Sequence, residues 1–128
     1  MSALDAILDA VARNVWVLAY LAPKYRNDRQ IILAAVARDG YALKFASSEI
    51  RGDREVVRVA TAQYGRALDF ASKKLRNDRQ IVLAAVERDG YALKFASDRL
   101  RGDREVVLTA VGNDGRAWDF VSRSYSPR

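Results

Sequence analysis

One short pattern returns at a fixed interval along the chain. Arg26-Asn27-Asp28-Arg29-Gln30 comes back as Arg51-Gly52-Asp53-Arg54-Glu55, Arg76-Asn77-Asp78-Arg79-Gln80 and Arg101-Gly102-Asp103-Arg104-Glu105, each copy 25 residues after the last. An internal period of about 20 to 50 residues marks a stacked array, in which every unit buries its apolar face against its neighbours. The units are residues 1–25, 26–50, 51–75, 76–100 and 101–125, with 126–128 left as a tail. The period predicts an all-α α-solenoid: a single domain over 1–128, made of five helix-turn-helix (αα-hairpin) repeats with atypical terminal capping repeats.

The unit 76–100 shows why. Asn77 or Asp78 supplies a side-chain oxygen to cap a helix, and Gln80 stands three residues after Asn77, as a capping box requires. Ile81-Val82-Leu83-Ala84-Ala85-Val86 follows, apolar on nearly every side, as in a helix enclosed by neighbours. The same run suits a buried strand, but the cap before it and Asp89-Gly90 after it favour helix. Glycine at that point, in the column Gly40, Gly65, Gly90 and Gly115, is expected to close the helix in the left-handed conformation. Tyr91–Leu100 is then expected as a second helix, with Leu93, Ala96 and Leu100 on one face. Helices this short are marginal alone in water, so stacking has to stabilise them.

Two further columns carry the packing. The tenth position is always alanine (Ala10, Ala35, Ala60, Ala85, Ala110), which lets helix axes approach closely. The twentieth is always aromatic (Tyr20, Phe45, Phe70, Phe95, Phe120), a stripe read as core. Units also alternate. Residues 26–50 and 76–100 agree at 20 of 25 positions, as though a two-unit block had been duplicated. Position sixteen reads Tyr41, Arg66, Tyr91, Arg116 and position nineteen reads Lys44, Asp69, Lys94, Asp119. Neighbouring units would then build ladders of arginine on aromatic rings and of opposite charge. At the ends, Val15 replaces the loop glycine, so the first unit is expected to run as one longer helix until Pro23. Trp118, Val121 and Tyr125 are bulkier than their inner counterparts, either closing the core or serving self-association.

Composition narrows the chemistry. The chain has no cysteine and no histidine, which excludes disulfides, thiolate–imidazole metal sites and catalysis by either residue. Its carboxylates recur by repeat position or lie beside basic residues, without an isolated unequal pair, and no phosphate loop or nucleophile elbow is present. An enzyme is not expected, nor a cofactor. Val15–Ala22 is too short for a membrane span and is preceded by Asp5 and Asp9, unlike a secretory leader. A cytoplasmic setting without membrane contact is expected.

The formal charge is +6, distributed by unit as 0, +1, +3, +1 and +1, so an acidic or nucleic-acid partner is permitted without being demanded. Arg29, Arg54, Arg79 and Arg104 fall in helix first turns, where the dipole disfavours a cation and something should compensate it. That compensation is either an acid of the same or the adjacent unit, or an anionic ligand met by one guanidinium per unit. Tyr41, Arg66, Tyr91 and Arg116 complete the candidate ligand-binding set. Arg51-Gly52-Asp53 and Arg101-Gly102-Asp103 spell an adhesion tripeptide, but helix capping accounts for the letters. Ser126-Pro127 is compatible with phosphorylation.

Asn77 through Ser97 resembles the domain of unknown function 4116 repeat, which writes Asn-Asp-basic, an apolar run, (Asn/Asp)-Gly-x-Ala-Leu, then aromatic-Ala-Ser in tandem. The likeness extends over about residues 26–122, while residues 1–25 keep only Leu8, Ala10, Val11 and Leu18. It implies tandem short helices and no activity, so it assigns no functional residue. The resulting expectation is a scaffold that recognises a protein or acidic peptide. Nucleic-acid binding through the arginine row is one alternative, and a structural spacer self-associating through its terminal repeats is the other.

Overall fold

The structure, a computed structural model, describes residues 2–125. Met1 and the tail with Ser126-Pro127 lie outside the described residues. The α-helices are α1 (Ala3–Arg13), α2 (Pro23–Arg26), α3 (Arg29–Arg38), α4 (Arg54–Gln63), α5 (Arg79–Arg88) and α6 (Arg104–Asn113). A 3-10 helix follows each long one: Val15–Tyr20, Gly40–Phe45, Gly65–Phe70, Gly90–Phe95 and Gly115–Phe120. A 3-10 turn at Ile50–Gly52, Leu75–Asn77 and Leu100–Gly102 then leads into the next unit, with α2 taking that place after the first. The described residues contain no strand, and no helix among them is long and apolar enough to cross a membrane. The chain is an all-α repeat stack.

Each α-helix packs on the next, α1 on α3, α3 on α4, α4 on α5 and α5 on α6, while the 3-10 helices form a second layer. The core runs between the layers as one cluster, with Ile31, Val56, Ile81 and Val106 at one register and Leu18, Leu43, Leu68 and Leu93 at another, each buried. Ala35, Ala60, Ala85 and Ala110 are fully buried, as the close-approach argument requires, while Ala10 is half-buried. Aspartate opens each inner helix: Asp28, Asp53, Asp78 and Asp103 accept backbone N–H bonds from Ile31, Val56, Ile81 and Val106. A single extended residue separates each α-helix from its 3-10 helix, for example Asp89 at φ −154° and ψ 106°, whose carboxylate accepts from the N–H of Tyr91.

Several expectations are corrected. The second helix of the unit is the six-residue 3-10 helix Gly90–Phe95, not an α-helix over Tyr91–Leu100. Ala96 is extended, and Ser97 donates its N–H to the carbonyl of Arg76 at 2.9 Å, closing the unit where an α-helix would have continued. No glycine has a positive φ among the described residues. The column instead marks a close approach: a Cβ on Gly40, Gly65 or Gly90 would fall 2.2, 2.5 or 2.1 Å from the carbonyl oxygen of Ala60, Ala85 or Ala110 in the following unit. The helix cap is Asp78 rather than Asn77, and Gln80 accepts from Arg54 rather than closing a box. The first unit does not run on to Pro23: Asn14 is extended and caps the N–H of Trp16, so the chain breaks there. The aromatic stripe is only half-buried at Phe45, Phe70, Phe95 and Phe120, packed on the core from outside, and Tyr20 is 89% exposed.

Candidate functional site

Arg29, Arg54 and Arg79 begin α3, α4 and α5, and each reaches across to the cap of the following helix. Their Nε atoms donate to Asp53, Asp78 and Asp103 at 2.7, 2.9 and 2.9 Å. A second nitrogen goes to Glu55, Gln80 or Glu105. Each aspartate thus caps its own helix and neutralises the first-turn cation of the preceding one, which resolves the dipole conflict. The guanidinium groups hold these three carboxyls below their ordinary range, and the carboxylates raise Arg29, Arg54 and Arg79 in turn. Asp53 and Asp103, the acids of the adhesion-like tripeptides, are engaged in this way. Arg104 alone of the row has no carboxylate partner among the described residues.

Position sixteen forms a column of stacked rings and cations. Trp16 lies 5.4 Å from Tyr41, which is also edge-on to Phe70 at 5.3 Å. Tyr91 sits between Arg66 and Arg116, whose guanidinium carbons are 4.3 and 4.8 Å from its ring centre. Arg66 further donates to Asp89 at 2.6 Å, while Arg116 folds back on Asp114, whose carboxyl it lowers. The expected opposite-charge ladder of position nineteen is not formed among the described residues. Lys94 lies over the rings of Tyr91, Phe95 and Phe120 instead, and Lys44 donates to the Tyr41 hydroxyl.

A different arginine column is left open. The backbones of Arg26, Arg51, Arg76 and Arg101 are pinned by Ser47, Ser72, Ser97 and Ser122, whose N–H groups donate to the arginine carbonyls at 2.9–3.0 Å. Ser47, Ser72 and Ser97 in turn accept from the N–H groups of Arg51, Arg76 and Arg101. The result is a continuous backbone seam along one edge of the stack. Arg101 engages its terminal nitrogens: Nη1 donates to the carbonyl of Phe120 and Nη2 pairs with Asp98 at 3.3 Å. The Nε atoms of Arg26, Arg51 and Arg76 are shielded from water and have no hydrogen-bond partner. Polar groups in that condition carry a cost of about 1–3 kcal/mol, more when charged.

For the terminal Nη2 nitrogen one difference lies in the sequence. Asp98 stands three before Arg101, whereas Ser48 and Lys73 stand three before Arg51 and Arg76. A cleft of about 260 Å³ opens between Arg26 and Arg51, lined also by Pro23, Phe45, Ala46, Ser47 and Ser48, with no carboxylate. Its neighbour of about 400 Å³ is lined by Lys73, Arg76, Asn77, Ser97, Asp98 and Arg99. In the sequence these arginines stand out only as the opening letters of the repeat; the legible signal was the missing acid three residues upstream.

Comparison with curated proteins finds no match, and neither does comparison with solved structures. The family described as domain of unknown function (DUF4116) matches residues 5–51, 28–76, 53–101 and 78–125, each window spanning about two successive units. The chain belongs to that tandem-repeat family.

Proposed function

We propose that the chain is a non-catalytic recognition scaffold that binds an extended acidic segment of a protein along Arg26, Arg51 and Arg76. The observation that carries this reading is the contrast within one column: the terminal nitrogens of Arg101 meet Phe120 and Asp98, while the side chains of Arg26, Arg51 and Arg76 make no hydrogen bond or ion pair among the described residues. Arginine is suited to carboxylates because its fork matches two oxygens at once. Stacked helices lie about 9–10 Å apart, and an extended chain advances about 3.3 Å per residue. An acid at every third residue would therefore meet one arginine per unit. Non-catalytic behaviour is part of the proposal, supported by the lack of histidine and cysteine and by the engagement of the column aspartates in caps and ion pairs.

Binding of single-stranded nucleic acid is the competing reading, and the aromatic column weighs against it. Base stacking needs a free ring face, yet Tyr91 lies between two guanidinium groups and Tyr41 is crowded by Trp16, Phe45, Tyr64 and Phe70.

Fluorescence anisotropy with a labelled peptide carrying glutamate at every third residue tests the proposal. Binding is expected to fall at least tenfold in Arg51→Ala/Arg76→Ala with the circular dichroism unchanged. Equal binding by the double variant would overturn it. So would a preference for a labelled oligonucleotide whose affinity falls with the steep logarithmic salt slope of phosphate contacts.

A further inference from the structure

We propose that the outer face of the last described unit, α6 with the 3-10 helix Gly115–Phe120, docks the α1 face of a second copy of this chain, continuing the stack head to tail. The three junctions among units 26–50, 51–75, 76–100 and 101–125 share one pair of devices, and the first junction, with Leu4 and Val15 at those positions, uses neither. An arginine at the fourth position of one unit reaches the acids at the third and fifth positions of the next. A glycine at the fifteenth position lies beneath the carbonyl of the next unit's tenth-position alanine.

On the last described unit both devices are present and open. Arg104 has no carboxylate partner among the described residues, and a Cβ on Gly115 would meet nothing within 4 Å. Leu108 and Trp118 are 47% and 54% exposed, and Val111 is half-buried where Val36 and Val86 are fully buried. A shallow cleft of about 490 Å³ lies over this face, between Arg79, Arg104, Glu105 and Leu108.

The first unit carries the complementary half. Ala10 occupies the register of Ala35, Ala60, Ala85 and Ala110 but is half-buried where they are fully buried. Ile7 is likewise half-buried where Ile32 and Val57 are fully buried. Asp5 stands at the fifth position, the register from which Glu55 and Glu105 accept from Arg29 and Arg79. A second copy is the occupant chosen because its α1 supplies this register and the charge that Arg104 lacks.

The match is incomplete at one point. The third position of the first unit is Ala3, so Arg104 would find one acid rather than two. The contact is accordingly weaker than an inner junction and shows itself with concentration. Because the two faces differ, the association is heterologous, and a pair of copies still presents one open face of each kind.

Sedimentation velocity on the full chain, from about 10 μM to about 1 mM, is expected to show a weight-average size that grows without stopping at two. Ala3→Asp restores the missing acceptor and is expected to strengthen association about tenfold. Gly115→Lys, whose side chain has open space within one copy, is expected to weaken it at least tenfold with the melting curve unchanged. A wild-type chain that stays monomeric together with a monomeric Ala3→Asp variant would overturn the proposal. So would a size that stops at two, or a Gly115→Lys variant that associates as the wild type does.

Discussion

Gly90 and Gly115 hold the same repeat position in opposite surroundings. A methyl group on Gly90 would land 2.1 Å from the carbonyl oxygen of Ala110, an atom held by its own helix, whereas one on Gly115 would meet nothing within 4 Å. Overpacking against backbone costs about 1–3 kcal/mol. Gly90→Ala should therefore lower the urea-derived stability by that amount or more, while Gly115→Ala should stay within about 0.5 kcal/mol of wild type. Equal effects at the two sites would mean that the junction relaxes freely and that close approach does not explain the column. The column itself was legible in the sequence, and its reason was not. A recurrent glycine after a helix suits a left-handed residue as well as it suits a tight approach. Val15 at the same position in the first unit suits neither reading, so it could not decide between them.

At the scale of single elements, α4, α5 and α6 each begin with an aspartate that serves two partners. Asp78 accepts the N–H groups of Gln80 and Ile81 at the start of α5, and the guanidinium of Arg54 from α4. The Arg54 hydrogen bond is the largest influence holding the Asp78 carboxyl below the ordinary 3.8, and the backbone N–H groups act in the same direction. A folded-state value below the unfolded one gives stabilisation that is complete above the unfolded value and is lost as pH falls through the folded one. The urea midpoint should thus drop between about pH 5 and about pH 2, and Asp78→Asn, which keeps a capping oxygen, should flatten part of that slope. An unchanged slope in this variant would remove the ion pair from the account.

That a capping side chain opens the helix and that its first-turn arginine needs an anion were readable from residue types and spacing, whereas the choice of Asp78 over Asn77 and of a neighbouring unit's acid over a ligand was not. The second helix was not readable, because Leu93 and Ala96 stand three apart, a spacing that a period of 3.0 and one of 3.6 both keep on one face. Gly90–Phe95 stops where the Ser97 N–H is captured by Arg76, a contact between residues far apart in the unit and invisible to local pattern. The same seam explains why the open arginines escaped notice: their state depends on what stands three residues upstream, not on their own recurrence.

For the whole molecule, stability should follow the order of units as well as their number. A stack of repeats behaves as a sum of unit and nearest-neighbour contributions, and the chain alternates two kinds of unit. Tyr91 of one kind receives Arg66 and Arg116 from units of the other kind on either side, and Arg66 also holds Asp89. Exchanging residues 51–75 with 76–100 preserves length, composition and every buried apolar column. It would nevertheless place Tyr41 beside Tyr91 and Arg66 beside Arg116, and Lys44 beside Lys94. Tyr91 keeps Arg66 as a neighbour and loses Arg116, and Asp114 takes the place of Asp89 beside Arg66, so one exposed cation–ring contact at about 0.5–1 kcal/mol and the new like-charge neighbours at up to about 1 kcal/mol put the expected loss at about 0.5–2 kcal/mol. Deleting residues 51–100 instead joins unit 26–50 directly to 101–125. Arg29 then meets Asp103 and Glu105, as Arg79 does, and Tyr41 meets Arg116, as Tyr91 does. That shortened chain should keep a single cooperative thermal transition at lower stability. If the exchanged chain melts with the wild type, alternation carries no information about register, and the repeat columns alone specify the stack.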